Sequence, residues 1–292
     1  MQTHSAEALL LAVTDLQEKD RIVTFLTREH GKVRGVARGA RRKYSRFSGQ
    51  LQPLAKVKVT WFEKEGRELV RISGVELVRL PGPLQADLEG ILLGSYLAEH
   101  LLEFAQENEP AELYFRLLDS TLAALASGVD RDLAARYFEA WVLRLAGIFP
   151  APRECPSCGR AFGPAGAVLP AAGEGLICAG CAAGRRGGAG TGRDARAGRD
   201  AGPGRGAGPD ELAEPGGFTM AGGAAPRGTA VGPDVIELLT RMGRESLPEL
   251  AERPPAPAAV AGLETVTAQV RRGFLQRELR SHGVMHRTLQ TT

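Results

Sequence analysis

No apolar run in these 292 residues approaches the roughly 20 needed to cross a bilayer, so a membrane-embedded protein is not expected. The apolar run Ala8 to Val13 has no basic stretch before it and acids after it, which does not fit a secretory leader. A soluble, unexported protein is the expectation. Catalytic signatures are missing as well: there is no GxxxxGK(S/T) loop for nucleotide phosphates, no GxSxG and no HExxH. Glu63 and Glu65 flank Lys64 beside a glycine and read as surface charge rather than an acid/base pair. Cysteine is scarce, 4 in all, and every one sits in a CxxC pair, which leaves no free thiol for a Cys/His nucleophile once the pairs hold metal. What remains is a binding protein. With 43% hydrophobic and 24% charged residues, it has enough apolar side chains for a core.

The net charge of +3 hides an uneven distribution. Met1 to Leu80 carries 16 basic and 9 acidic residues, whereas Pro83 to Pro150 carries 4 and 11. A basic module joined to an acidic one points to a polyanion-binding face on the first.

Residues 6–80 read as five short strands. Arg21 to Thr27 and Lys32 to Arg38 flank Arg28-Glu29-His30-Gly31, a hairpin with Gly31 at positive φ. In Lys56 to Phe62 the residues Val57, Val59 and Trp61 share one face, and Leu69 to Val78 supplies the fifth strand. Five strands in this length suit an OB-fold barrel over residues 1–81. After Pro81-Gly82-Pro83 the period becomes helical. Leu84 to Ala105 reads as a buried helix. Tyr114, Leu117, Leu118, Thr121, Leu122 and Leu125 mark a second stripe, and Ala134, Tyr137, Phe138, Trp141 and Leu145 a third, giving a helical domain over 82–152. Gly184 to Gly208 holds 10 glycines in 25 residues, so 184–233 reads as a disordered Gly/Arg-rich linker. Asp234 is expected to cap a short helix, and a longer one is expected from about Glu264, with Val266, Val270, Phe274 and Leu279 along it. These helices, 234–288, lack a core of their own and are expected to pack on the helical domain. The fold class is α+β, in several modules.

The strongest local signal is Cys155-Pro156-Ser157-Cys158 followed, after 19 intervening residues, by Cys178-Ala179-Gly180-Cys181. Two CxxC knuckles at this separation match one structural zinc ion held by four thiolates within 153–183, with Gly159 and Gly180 in the tight turns. Two redox dithiols are the competing reading, without βαβ context to support them. Two disulfides would need an oxidising compartment. His282 and His286 are spaced i, i+4 but lack a third ligand.

The second signal is the basic run Arg28 to Arg46. Lys32, Arg34 and Arg38 fall on one face of an extended strand, and Arg41, Arg42, Lys43 and Arg46 continue into a loop with Tyr44 and Phe47 interleaved. Cations that track phosphates and aromatics on which bases stack are the equipment of a single-strand groove. The bland alternative is a solvated loop whose two aromatics plug the barrel.

Arg21-Ile22-Val23-Thr24-Phe25-Leu26-Thr27-Arg28-Glu29-His30-Gly31-Lys32, then Gly35-Val36-Ala37-Arg38-Gly39-Ala40-Arg41-Arg42, resembles the N-terminal barrel of the RecO family of bacterial recombination mediators. Ser45-Arg46-Phe47, Leu51-Gln52-Pro53-Leu54 and Phe274-Leu275-Gln276-Arg277-Glu278-Leu279-Arg280-Ser281 continue the likeness, and the four cysteines match its zinc-bearing branch. The long insertion 184–233 departs from the family pattern. The resemblance implies a non-enzymatic, cytoplasmic, nucleoid-associated protein. It would bind single- and double-stranded DNA, anneal complementary strands without ATP, contact RecR and the single-stranded-DNA-binding protein, and help load RecA. For the acidic tail of that binding protein, Arg271, Arg272 and Arg277 around Phe274 offer a cationic rim on an apolar groove. A zinc-ribbon RNA-binding factor and a metalloenzyme are the competing classes, and a filled four-thiolate sphere argues against the second.

Overall fold

The computed structural model describes residues 2–64, 66–149, 152, 154–171, 175–184 and 228–289. Strand β1 (Gln2–Leu16) is long enough to serve two partners. Its first half pairs with β4 (Lys56–Glu63) and its second half with β2 (Asp20–Thr27). A bulge between Leu10 and Ala12, within the β2 pairing and just past the end of the β4 pairing, bends the strand. Strands β3 (Lys32–Ala37) and β5 (Val70–Arg79) then close the barrel in the order β1-β2-β3-β5-β4, with β3 and β5 parallel and every other pair antiparallel. Closure removes the exposed sheet edges. Alternation places Val57, Val59 and Trp61 of β4 inside, with Phe25 and Ile72, and leaves Arg34 of β3 and Arg71 of β5 on the outer surface.

The helices α1 (Leu88–Phe104), α2 (Glu112–Ala126) and α3 (Arg131–Leu145) follow. The first starts later than its apolar pattern suggests: Gly82–Gln85 is a 3-10 turn, and Asp87 caps α1 by accepting from the Gly90 amide at 2.7 Å. The tip of the β2–β3 hairpin is hydrogen-bonded into the α1–α2 connection. The Lys32 amide donates to the Gln106 carbonyl, the Asn108 amide to Lys32, and the Ala111 amide to Arg28. Gly31 has φ +60°, and a Cβ there would lie 1.9 Å from the Glu109 carbonyl oxygen, so only glycine permits this close seating.

Three sequence expectations are corrected in the C-terminal part. Residues 185–227 of the expected linker lie outside the described residues, but Gly228–Val231 is a strand, β8, and not linker. It pairs with β6 (Ala167–Pro170), which pairs on its other side with β7 (Ile177–Cys178) next to the short helix α4 (Ala179–Gly184). The backbone ladder, invisible in composition, decides this. Gly232 rather than Asp234 is the N-cap of α5 (Pro233–Arg241): Pro233 supplies a fixed helical φ at the first turn, where Asp234 also lies. Helix α7 runs Pro257–Leu275, one to two turns earlier than expected, and stops at Gln276, whose φ is +55°. Leu279 therefore lies beyond this helix, just before α8 (Arg280–Leu289). Short α6 (Leu247–Glu252) was missed, although Ser246 and Glu249 form the capping box that marks its start.

The late helices pack on the early ones, α7 on α3 and α8 on α1, around one buried carboxylate. Glu139 of α3, 1% exposed, accepts from the Tyr96 hydroxyl of α1 at 2.6 Å and from the Thr267 hydroxyl of α7, and pairs with Arg136 at 2.6 Å. Arg271 of α7 reaches the Tyr96 oxygen at 2.6 Å and Glu278 at 2.7 Å. Burial opposes the Glu139 charge, but Arg136 and Arg271 outweigh it and hold the carboxyl below its usual range. Beside this cluster His100 is fully buried, its Nδ1–H given to the Tyr96 carbonyl in the neutral tautomer, and Nε2 without a partner among the described residues. Burial pushes the imidazole down to about 4.

An unfolded chain would protonate His100 near pH 6.5 while the folded protein keeps it neutral to about pH 4. Its stabilising contribution is therefore complete above pH 6.5 and is lost as the pH falls from there to about 4. Urea unfolding across this window should show about 3 kcal/mol of lost stability from this group. His100→Phe should flatten the fall, and an unaltered pH profile in that variant would show that the imidazole titrates alike in the folded and unfolded chain.

Candidate nucleic-acid face and metal centre

The structure sorts the cations of the barrel into those already engaged and those left open. Arg21 pairs with Asp15, Arg28 with Glu112, and Lys56 and Arg79 with Asp119. Lys32, expected to meet DNA, is corrected here. Its ammonium donates to the Leu102 carbonyl of α1 at 2.6 Å, and burial lowers its pKa despite Glu107 and Glu103 nearby. That side chain ties the hairpin to the bundle and does not face solvent as a free charge.

Five of the open cations converge. Lys19, Arg38, Arg42, Arg46 and Arg71 line a cleft of about 870 Å³ on the outer barrel face, and none has an acid partner among the described residues. Two acids, Glu18 and Asp20, also line the cleft; Asp20 accepts from the Gly39 amide at 2.8 Å, so its carboxylate is engaged in holding the loop. Arg41 braces the wall: it pairs with Asp15 at 3.4 Å and donates to the Gln17 carbonyl at 3.0 Å. Arg34 and Lys43 are exposed outside the cleft. Sequence reasoning missed Lys19 and Arg71. Arg71 stands between the inward residues Val70 and Ile72, an outward position legible from alternation. Only the parallel β3–β5 pairing, with Val36 opposite Arg71, brings it to the stripe.

The two aromatics of the loop separate. Phe47 is 2% exposed and joins the barrel core, with the Arg46 guanidinium over its ring at 4.9 Å. It is a plug and not a stacking surface. Tyr44 is 89% exposed.

The four cysteines come together between the β6–β7 sheet and α4. Their sulfurs lie within 4.8 Å of one another. The spacing fits an ion: four thiolates at about 2.3 Å around a tetrahedral centre sit about 3.8 Å apart, and Cys158 Sγ and Cys178 Sγ are 3.8 Å apart. The Cys178 amide donates to Cys155 Sγ at 3.3 Å, and the Cys181 amide to Cys178 Sγ at 3.5 Å. Gly159, at φ +69°, completes the first knuckle, whereas Gly180 lies inside α4 and makes no tight turn. A hydrogen bond from Arg160 lowers the Cys158 thiol to about 6, while hydrogen bonds with Cys178 and Cys158 push the Cys181 thiol up to about 12, as close thiols share their protons. Cys155, Cys158, Cys178 and Cys181 are therefore placed to hold a metal ion. No other such group of three or more potential ligands occurs among the described residues. His282 instead packs near Glu278, Glu264 and the Tyr96 ring.

At the C-terminal end Arg271 is corrected. It is 1% exposed and committed to Tyr96 and Glu278, so it cannot serve a peptide. Arg277 reaches Glu103 at 2.6 Å, Arg272 is exposed with Glu278 at 3.5 Å, and Phe274 is 55% exposed with its ring stacked on Phe104.

Comparison with known proteins bears on the barrel, the early helices and the cysteine knuckles. Residues 1–81 match the family described as recombination protein O, N terminal, and residues 85–191 match recombination protein O, C terminal. The DNA repair protein RecO of Anaeromyxobacter sp. (strain K) is 39% identical over 176 residues, 60% of this chain and 69% of that protein. RecO of Geobacter metallireducens is 38% identical over 182 residues, 62% of this chain and 73% of its own length. RecO of Myxococcus xanthus is 36% identical over 163 residues, or 56% and 66%. No helix among the described residues is long and apolar enough to cross a membrane. A barrel, a helical bundle and a cysteine cluster in this order, with both matches and this level of identity, assign the chain to the RecO family of DNA repair and recombination proteins.

Proposed function

We propose that the chain is a non-enzymatic recombination mediator. It holds single- and double-stranded DNA on the barrel, anneals complementary strands, and helps load RecA on DNA coated by the single-stranded-DNA-binding protein, with RecR as a further partner. The observation that carries this reading is the cleft of five unpaired cations on the outer face of the barrel. Two complementary strands repel through their phosphates. Side chains that neutralise phosphates lower that barrier and carry no sequence information, so bases remain free to pair and no nucleotide hydrolysis is required. Arg38, Arg42, Arg46, Arg71 and Lys19 are the groups that meet the backbone, with Arg34 and Lys43 flanking and Arg41 bracing. Binding of single strands should weaken with salt at a slope of about −3.5 in log K against log[salt], from roughly −0.7 for each of about five phosphates. Replacing Arg38, Arg42, Arg46 and Arg71 by glutamine should flatten that slope by about 3. A slope unchanged in this variant would place the DNA elsewhere.

The metal at the four cysteines is, in this proposal, zinc in a structural role, because four thiolates leave no open position for water. Bound there, it contributes to the folding of a knuckle whose own apolar cluster is small, Cys155 with Val168 and Ile177. Elemental analysis should find about one zinc per chain. Cys178→Ser should lose the metal and raise hydrogen exchange across 154–184. DNA binding by the barrel should persist within about twofold, since barrel and knuckle are separate modules. Four freely titrating thiols in reduced, metal-free purified protein would refute the site.

For the acidic tail of the single-stranded-DNA-binding protein, the proposal keeps Arg272, Arg277 and Phe274. The exposed ring supplies an apolar contact, and the two guanidiniums supply the charge. A labelled tail peptide should bind the wild type and lose about tenfold in affinity with Arg272→Glu/Arg277→Glu, a change of about 1.4 kcal/mol. Undiminished binding to the double variant would move the tail to another surface.

A further inference from the structure

Tyr44 stands out as the most exposed large hydrophobic side chain among the described residues of the barrel. Its ring is 89% exposed, and no hydrogen bond among the described residues engages its hydroxyl. The Lys43 ammonium lies 5.7 Å from its centroid. Nothing in the fold requires an aromatic there, because Phe47 already plugs the barrel. The backbone that carries Tyr44 is nevertheless well fixed. Arg42 N donates to the Gly39 carbonyl, Ser45 N to Arg42, and Ser48 N to Ser45, each at 3.1 Å. The Phe47 amide donates to the Ser45 hydroxyl, and Arg41 N is bound to the Lys19 carbonyl across the cleft. A solvent-facing ring thus sits on a loop that packing and hydrogen bonds hold in place, between Arg42 and Arg46, both of which line the cationic cleft.

We infer that Tyr44 is the base-stacking residue of this surface and that it makes the cleft favour unpaired strands. The inference rests on the cleft as the DNA site. A base in a duplex has both faces covered by its neighbours in the stack, so an exposed ring adds nothing to duplex binding. In a single strand a base can swing onto the ring while the adjoining phosphates stay on Arg42, Lys43 and Arg46. Stacking on an aromatic is indifferent to sequence, because every base has a π face, and it leaves the pairing edge of the base open. A pre-fixed loop loses little freedom when the base arrives. Arginine and lysine alone attract any polyanion. The ring is the component that distinguishes strand state.

The test uses the full chain with three probes of equal length: oligo(dT), the same backbone with abasic sites, and a hairpin-capped duplex. Tyr44→Ala should weaken oligo(dT) binding about 5- to 150-fold, the equivalent of roughly 1–3 kcal/mol. It should leave the abasic strand and the duplex within about twofold, and Tyr44→Phe should behave as the wild type. In Tyr44→Trp, fluorescence should be quenched by oligo(dT) and not by the abasic strand. An equal loss on all three probes would mean that the side chain merely shapes the loop, and undiminished oligo(dT) binding would mean that the ring is idle; either overturns the inference. Failure of the wild type to bind even the abasic strand and the duplex would instead remove the cleft itself as the DNA site, a result read without any variant.

Discussion

One buried carboxylate ties the helical half of the molecule together. Glu139 receives a hydroxyl from α1, a hydroxyl from α7 and a guanidinium from its own helix, while Arg271 of α7 closes the circle through Tyr96. Charges taken out of water are costly unless each is paired and hydrogen-bonded. Their mutual satisfaction therefore admits one arrangement of these helices. Tyr96, Glu139 and Arg271 are far apart in the chain, and residues 185–227 intervene between the second and third. The cluster makes the helices that follow this segment part of the same core as those that precede it. It also explains why Arg271 is unavailable to a partner.

The barrel depends on that bundle for its orientation. The β2–β3 hairpin passes its backbone hydrogen bonds to the α1–α2 connection, and Gly31 allows the two chains to meet at atomic contact. Lys32 spends its charge on the same junction. The cationic cleft gathers five of the cations that remain once this and the ion pairs of Arg21, Arg28, Arg41, Lys56 and Arg79 are subtracted. Counting basic residues overstates the proposed DNA face near the junction and understates it at β5. What matters is which cations lack a partner, and that is a property of tertiary packing.

The metal centre follows a different logic. Its candidate ligands come from two knuckles, each of which gathers two sulfurs by its own turn, and the β6–β7 pairing brings the two knuckles together. The strand β8 then joins β6 of this module to the later helices, so the knuckle is continuous with the bundle through a sheet as well as through the chain.

By itself the sequence determined the elements whose cause is local. Alternation in β4, the hairpin around Gly31, the stripes of α2 and α3, the four cysteines and the family likeness depend on neighbours a few residues away, and each was legible. Limits were blurred where a non-local or capping interaction sets them: Asp87 before α1, Pro233 and Pro257 at the starts of α5 and α7, and Gln276 between α7 and α8. Only the tertiary structure decided the fate of individual charged and aromatic side chains. It buried Arg271 and Phe47, tied down Lys32, left Tyr44 bare and added Lys19 and Arg71 to the cleft. Composition assigns a residue its chemistry, but solvent exposure and pairing belong to contacts between distant segments. For that reason, 228–231 within a glycine-rich stretch becomes a strand once β6 offers it a partner.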